Sequence, residues 1–313
     1  MAYFTSRMKE VTNVYHTPVL LQACMEGLDV HPDGVYVDLT FGGGGHSKEL
    51  LRLLGSKGEL YSFDQDAAAE QNIPKDARFT FVRSNFCYVR NFMHLYNRVG
   101  KVDGILADLG VSSHHLDEED RGFSFRFDGH LDMRMNRRGG KTAADVLNTY
   151  EEADLATLFY VYGELRSARK IAAAIVQKRC EKPFVSVGDL KELVMRFIEK
   201  DKEKKMLAQV FQALRIEVNR EMDVLQTMLK QALSVLKPNG RLVVLTYHSL
   251  EDRFVKHFLR SGNMDGKVEK DFYGNSLSPF RLVYTKAIVP TAEEVAENPR
   301  SRSAKLRIGE KVF

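Results

Sequence analysis

Cysteine is scarce in this chain. Cys24, Cys87 and Cys180 are the only three in 313 residues, far apart, odd in number and in no C-x-x-C pair. That pattern supports neither a disulfide framework nor a zinc site, and it fits a reducing cytosol. Long apolar runs are missing as well: none approaches the roughly 18 residues of a membrane span, and Met1 to Glu10 has no basic start followed by an apolar core. A soluble, cytoplasmic protein without membrane contact is expected. No internal repeat or low-complexity tract stands out. Charge of neither sign dominates, with 46 Lys and Arg against 42 Asp and Glu. A hydrophobic fraction of 44% is ordinary for a globular chain, and the length allows one large domain or two modest ones.

Glycine, by contrast, is concentrated. Val35-Tyr-Val-Asp-Leu-Thr-Phe-Gly-Gly-Gly-Gly-His-Ser47 is a short β-branched run, an acidic residue, four glycines and a helical start. Glycine is needed where backbone must approach a ligand or take positive φ. A second apolar run, Glu59 to Phe63, ends in Asp64, where nucleotide-binding α/β folds place a ribose-binding carboxylate. The dinucleotide fingerprint G-x-G-x-x-G is incomplete, because Gly42 and Gly44 are followed by Ser47 in the third place. S-adenosylmethionine carries no phosphate and needs only close backbone approach, a ribose acceptor and a polar residue for its amino-acid tail. Asp38, the turn Gly42 to Gly45 and Asp64 supply these parts. The alternative is a plain loop with Asp64 capping the next helix.

Along the chain, strands alternate with helices. Val35 to Leu39, Glu59 to Phe63, Phe79 to Val82 and Val102 to Asp108 read as strands one to four, with helices at Ser47 to Leu54 and Val89 to Tyr96. This predicts a parallel, doubly wound sheet with ligands at the carboxyl ends of its strands. From about Arg121 to Asn219 the periodicity becomes helical: Leu155, Leu158, Phe159, Tyr162; Ile171, Ile175, Val176; Leu190, Leu193, Val194, Phe197. The alternation resumes with a helix over 221–236, the turn Lys237-Pro-Asn-Gly240 and a fifth strand, Arg241 to Tyr247. Strands near Phe280 to Ala287 and Ala304 to Gly309 pair as an antiparallel edge. Domain bounds of 1–120 with 217–313, interrupted by 121–216, follow. Residues 121–220 hold 20 Lys and Arg against 14 Asp and Glu, a balance of +6 where the rest has −2. Such an excess suits phosphate contacts with a nucleic acid, although the run Lys200 to Lys205, interspersed with acids, reads as a solvated helix face.

Chemistry should gather after strands four and five. The first offers Asp108-Leu-Gly-Val-Ser-Ser-His-His115, the second His248-Ser-Leu-Glu-Asp-Arg253. An exocyclic amine is a poor nucleophile because its lone pair is delocalised into the ring, and an acceptor for its N–H groups favours the localised pair. Asp108 is the natural acceptor, with Ser112 and Ser113 beside it. Capping roles compete: Asp108 at a turn, Ser112 and Ser113 at a helix start. Adjacent His114 and His115 face apart on any regular element, so no metal is expected. Ser249 lacks a G-x-S-x-G elbow, which disfavours a serine nucleophile. His248 to Arg253 reads as a helix cap and a site wall together.

Several motifs then occur in one order: His16-Thr-Pro-Val-Leu20, Thr40 to Ser47, Asp103 to Ser113, Arg121-Gly-Phe-Ser-Phe125, Leu131-Asp-Met-Arg-Met135, Phe211 to Asn219, His248 to Arg253 and Asn298-Pro-Arg-Ser-Arg302. In these the chain resembles the bacterial family of small-subunit ribosomal RNA cytosine-N4 methyltransferases called RsmH or MraW. The resemblance implies a Rossmann-like class I methyltransferase fold with a helical insertion, S-adenosylmethionine as donor, no metal, and a cytidine in the decoding region of 16S ribosomal RNA, or of the small subunit, as substrate. It places cofactor contacts on Gly44, Gly45, His46, Asp64, Phe86 and Asp108. It adds His115, where the family usually has glutamine and this chain has a shorter, titratable imidazole. Amino methyltransferases commonly carry Pro-Pro and an aromatic after the strand-four acid, and here Leu109-Gly-Val follows. The base-stacking aromatic is therefore sought at Phe123, Phe125 or Tyr247. Arg134, Arg137, Arg138 and Lys141, beside Gly139 and Gly140, are candidates for RNA phosphate or for an ordinary surface loop. The oligomeric state, a homodimer included, stays open.

Overall fold

The computed structural model describes residues 18–110, 118–198 and 202–313. A seven-stranded sheet runs in the order β3-β2-β1-β4-β5-β7-β6. Its strands are β1 (Val35–Asp38), β2 (Glu59–Asp64), β3 (Phe79–Arg83), β4 (Val102–Asp108), β5 (Leu236–Thr246), β6 (Phe280–Leu282) and β7 (Lys305–Lys311). The first five are parallel, and β7 runs antiparallel to both β5 and β6. The order reverses between β1 and β4, which opens a crevice at their carboxyl ends. This is the class I methyltransferase topology with its antiparallel edge.

Strand alternation splits the apolar residues between two faces. On one, Tyr36, Leu106, Val243, Leu245 and Ile308 pack on α1 (Leu21–Leu28) and α2 (Gly45–Leu53). On the other, Val37, Ile105, Ala107, Leu242 and Val244 meet α3 (Val89–Leu95), followed much later by two long helices over Glu221–Val235 and Ser249–Ser261. Both faces are covered, so the strands read as nearly continuous apolar runs.

Among the described residues, five α-helices lie between β4 and the helix at Glu221: α4 (Ala143–Thr149), α5 (Glu152–Val161), α6 (Ala168–Glu181), α7 (Val187–Met195) and α8 (Glu203–Asn219). They share a separate apolar cluster running from Phe123 to Leu214, in which Leu155, Phe159, Ile171, Ile175 and Leu190 are fully buried. Two capping boxes start α4 and α7, Thr142 with Asp145 and Ser186 with Asp189. Arg220 takes a left-handed φ of 50° and joins α8 to α9 (Glu221–Val235) without a loop. The helix Ser249–Ser261 is α10, and α11 (Ala292–Glu297) precedes β7.

Three sequence expectations need adjusting. The turn at Lys237 to Gly240 lies within β5: pairing steps from Val102↔Leu236 to Gly104↔Arg241, so four residues bulge opposite Asp103, with Asn239 at positive φ. The β6 strand stops at Leu282 rather than Ala287. Val283 still donates to Ile308, but the chain then turns off the ladder and returns only as the single bridge Ile288↔Leu306. Helix α1 has no counterpart in the pattern-based reading; both its caps, Leu20 and Asp29, are left-handed and carry no side-chain capping signal.

Candidate active site

The glycine turn links β1 to α2 by left-handed steps. Gly42 has φ 50° and Gly44, the cap of α2, has φ 75°. A Cβ on Gly44 would meet the Phe41 ring at 2.9 Å, and one on Gly45 would run into the Pro18 ring. At Gly42 an added Cβ meets no described atom within 4 Å, so this residue faces open space. The turn is held on both sides. Gly42 N–H donates to Asp64 Oδ2 at 2.8 Å, Phe41 N–H to the Phe63 carbonyl, and Gly44 N–H to the Phe41 carbonyl. Asp64 Oδ1 accepts from Asp66 N–H at 2.8 Å. Asp64 thus lies beside the turn at the end of β2, while Phe86 opens a short 3-10 helix just after β3 and packs half-buried on the sheet.

Asp38 plays a different part from the one its strand-end position suggests. It is 1% exposed. Its Oδ1 accepts from Thr40 N–H at 3.0 Å, and its Oδ2 from the Ser47 hydroxyl at 2.6 Å. Ser47 in turn shares a hydrogen bond with Ser62. Asp38 therefore braces the turn from beneath and is not presented to a ligand.

At the end of β4, Asp108 donates its backbone N–H to Thr40 Oγ1 at 2.7 Å, which ties it to the same turn. His46 Nδ1 stands 4.0 Å from Asp108 Oδ2, and His46 Nε2 lies 3.1 Å from the Val19 carbonyl. A carbonyl only accepts, so the neutral ring carries its proton on Nε2 and turns the Nδ1 lone pair toward Asp108. The Tyr247 phenol acts on the same carboxylate and favours its charged form. Asp108 Oδ1 is closed to solvent and has no hydrogen-bond partner among the described residues. Burial raises the Asp108 carboxyl above its ordinary range, with Asp38 and Glu251 pushing the same way against the pull of His46 and Tyr247. Burial likewise lifts the Tyr247 phenol, and the Asp108 charge adds to it, which keeps Tyr247 a donor.

After β5, His248 caps α10, its Nδ1 accepting from Glu251 N–H at 3.4 Å. Glu251, 3% exposed, returns its Oε2 to Tyr247 N–H at 3.0 Å. Single ligand atoms of Glu221, His248 and Glu251 lie within 4.8 Å of one another, close enough to hold a metal ion. The cap argues against one: with Nδ1 accepting, the ring proton sits on Nε2, and a protonated nitrogen does not ligate. A cavity of about 550 Å³ lies apart from all these groups, among Lys141, Tyr150, Asp154, Tyr162 and Glu217.

The structure thus brings Gly44, Gly45, His46, Asp64 and Asp108 to one edge, with Phe86 following the neighbouring strand. Ser112, Ser113, His114 and His115 lie outside the described residues. Phe123 is buried in the insertion core and Phe125 packs edge-on against Phe211, so neither is presented for stacking on a base. Arg134 is held by Asp132 through Nε at 2.7 Å and Nη2 at 3.0 Å, and Lys141 lies over the Tyr150 ring at 4.7 Å. Arg137 and Arg138 are exposed. Pattern reading did not single out Thr40 or Glu221 as site supports, while Glu251 lies in the His248 to Arg253 segment it read as a cap and site wall, and Tyr247, a stacking candidate, acts electrostatically on Asp108.

The model of the MraW methylase family matches residues 13–312. This chain belongs to that family. It is a methyltransferase with S-adenosylmethionine as donor. The "Ribosomal RNA small subunit methyltransferase H" of Parabacteroides distasonis is 65% identical over 305 residues, which cover 97% of this chain and all of that protein. Proteins of the same name from Porphyromonas gingivalis and Flavobacterium johnsoniae are 56% and 51% identical, covering 96% of this chain and 98% and 99% of theirs. Among solved structures, a putative rRNA methylase from Clostridium thermocellum aligns with 96% of this chain and 100% of its own at 13% identity and a TM-score of 0.42.

Proposed function

We propose that this methyltransferase, acting in the cytoplasm, methylates N4 of a cytidine in the decoding region of 16S ribosomal RNA. The observation that carries the reading is Asp108 Oδ1, a buried acceptor at the end of β4 without a partner among the described residues. Leaving such an atom unpaired costs about 1–3 kcal/mol, a cost a substrate N–H removes on binding. The amino group of cytosine is a donor of that kind. Accepting its hydrogen localises the nitrogen lone pair, and the same oxygen is placed to receive the proton N4 sheds. A carboxyl raised by burial is a better proton acceptor than an ordinary one.

S-adenosylmethionine, when bound, supplies a methyl on a positive sulfur that leaves as a neutral thioether. The open space over Gly42 and the carboxylate of Asp64 fit a ligand of its shape. In this reading Gly44, Gly45 and His46 line the cofactor, Asp64 takes the ribose, Phe86 flanks the adenine, and Asp108 stands between donor and base. Ser112, Ser113 and His115 complete the site from the segment after β4. The insertion, 121–216, recognises RNA, with Arg137 and Arg138 as phosphate contacts, and 1–120 with 217–313 form the catalytic unit. The names carried by the relatives support small-subunit RNA as substrate.

Nucleoside mass spectrometry of ribosomal RNA from cells with and without the gene tests base, atom and reaction together. Loss of N4-methylated cytidine is expected on deletion. An unchanged nucleoside profile overturns the reading.

A further inference from the structure

At the elbow between α8 and α9, Arg215 grips Glu221 with two hydrogen bonds, Nε to Oε1 at 2.8 Å and Nη2 to Oε2 at 2.9 Å. One partner ends the insertion and the other begins the sheet-covering helix, with only left-handed Arg220 to turn the chain. A bidentate guanidinium–carboxylate pair fixes direction as well as distance, so it sets the angle at which the insertion leaves the catalytic sheet. Burial works against the Arg215 charge, but Glu221 and Glu251 together hold it above its ordinary range, so Glu251 belongs to the same group.

Beyond Glu221 a group of polar side chains leads on toward the end of β4, with Glu221 near His248 but making no hydrogen bond to it. Glu221 and His248 approach within 4.8 Å. His248 Nε2 lies 3.0 Å from Glu251 Oε1 without forming a hydrogen bond, and it has no other partner among the described residues. Glu251 Oε2 holds Tyr247 N–H, and the Tyr247 phenol and the Asp108 carboxylate act on each other electrostatically. Capping of α10 explains His248 Nδ1 and Glu251 Oε2. It leaves His248 Nε2 and Glu251 Oε1 unexplained, both in the quarter where Glu221 sits.

We infer that Glu221, held by Arg215, is a positioning residue for methyl transfer. Through His248 and Glu251 it sets the place of Tyr247, and through Tyr247 the orientation of Asp108, so that the pose of the insertion on RNA reaches the acceptor carboxylate. The inference rests on the assignment of Asp108 as that acceptor. It gives the insertion a second task besides holding RNA. Residues that act through one another give non-additive effects when changed in pairs.

A double-mutant cycle on the full chain tests it, with Glu221→Gln, Tyr247→Phe and both together. The quantity measured is single-turnover methyl transfer from labelled donor to small-subunit RNA, with donor affinity followed by calorimetry. Each single change is expected to slow transfer about tenfold and leave donor affinity within about twofold, and the double variant to be no slower than the worse single one. Transfer rates that multiply would overturn the inference, as would a Glu221→Gln protein of wild-type rate. Should Glu221→Gln fail to fold, Arg215→Lys, which keeps the charge and loses the bidentate grip, replaces it in the same cycle. Label is counted on RNA whatever the base, so failure of the cytosine-N4 reading and failure of this one are read separately.

Discussion

Two helices of the insertion open on reciprocal capping boxes, whereas the carboxyl edge of the sheet gathers left-handed glycines and buried polar atoms without partners among the described residues. Thr142 and Ser186 each complete a reciprocal box with an aspartate three residues on, and the apolar stripes of α5, α6 and α7 converge on one buried cluster. Met133 and Glu164 take positive φ even there, and Arg121 Nε is buried with no hydrogen-bond partner among the described residues, so the contrast lies in how these departures gather rather than in their absence from the insertion. At the sheet edge, Gly42 and Gly44 stand at positive φ, Asp108 keeps a buried oxygen unpaired and a carboxyl pushed toward neutrality, and His248 keeps a buried nitrogen unpaired. Departures of this kind cost stability and persist where function requires them. The comparison assigns chemistry to the edge and support to the insertion, and each prediction below strikes one side only.

The largest effect is expected from Asp108→Ala. Removing this buried carboxylate oxygen, which has no hydrogen-bond partner among the described residues, should cut methyl transfer by about 10²–10⁴-fold, the usual weight of a positioned proton acceptor. Folding should survive, because the backbone N–H that ties residue 108 to Thr40 is kept. Rapid-quench transfer assays beside a thermal melt decide it, and wild-type turnover would move the acceptor elsewhere.

Next comes Gly42→Ala. The new methyl would touch no described protein atom, so its cost to the fold is limited to the left-handed backbone, about 1–2 kcal/mol. It would stand in the space assigned to the donor. Calorimetric titration with S-adenosylmethionine should therefore show a loss of about tenfold or more in affinity, beyond what the melt explains. Equal affinity would mean that the open space over the turn is not the donor's.

These two positions also show how far the sequence could be read. The four glycines, the acid after β2 and the apolar run Val102 to Asp108 announce themselves locally, and β4 has the very ends its pattern predicts. What the pattern could not carry is any bond whose partners are distant in the chain. Asp38 has the sequence position of a ligand residue and the hydrogen bonds of a brace, and only Ser47 and Ser62 in space reveal which. Tyr247 reads as an aromatic and acts through its hydroxyl. Arg134 reads as a free cation in a basic loop, yet Asp132 had already claimed it two residues away, a pairing that the spacing alone made available. Helix α1 escaped because neither of its ends carries a cap that sequence can announce.

On the insertion side the expected effect is smaller and of another kind. Replacing exposed Arg137 and Arg138 with alanine should weaken RNA binding several-fold and lower the slope of log affinity against log salt by about one per lost phosphate contact. Donor affinity should not move. A salt titration by filter binding or anisotropy makes the distinction, and an unchanged slope would return these arginines to ordinary surface.

The smallest effect, and the one that probes the cost of the edge most directly, is on stability against pH in Asp108→Asn. A carboxyl whose pKa is raised on folding binds more protons in the folded than in the unfolded chain over the interval between its ordinary value of 3.8 and the raised one. Stability therefore falls as pH rises through that interval, and the contribution is intact only below it. At neutral pH the wild type holds a buried charge that asparagine does not have, so the variant should melt higher than wild type there. As pH drops below the ordinary carboxylate range, both proteins become neutral at this site, and the gap should close. The acid limb of the wild-type transfer rate belongs to the same group, because accepting an N–H and then a proton needs the ionised form, and it should lie above the range of a free aspartate. A variant that is slower in transfer, more stable at neutral pH and no more stable in acid would show that the unpaired oxygen is kept for chemistry at the expense of the fold. Two melting curves that run parallel across pH would place the departure somewhere other than Asp108.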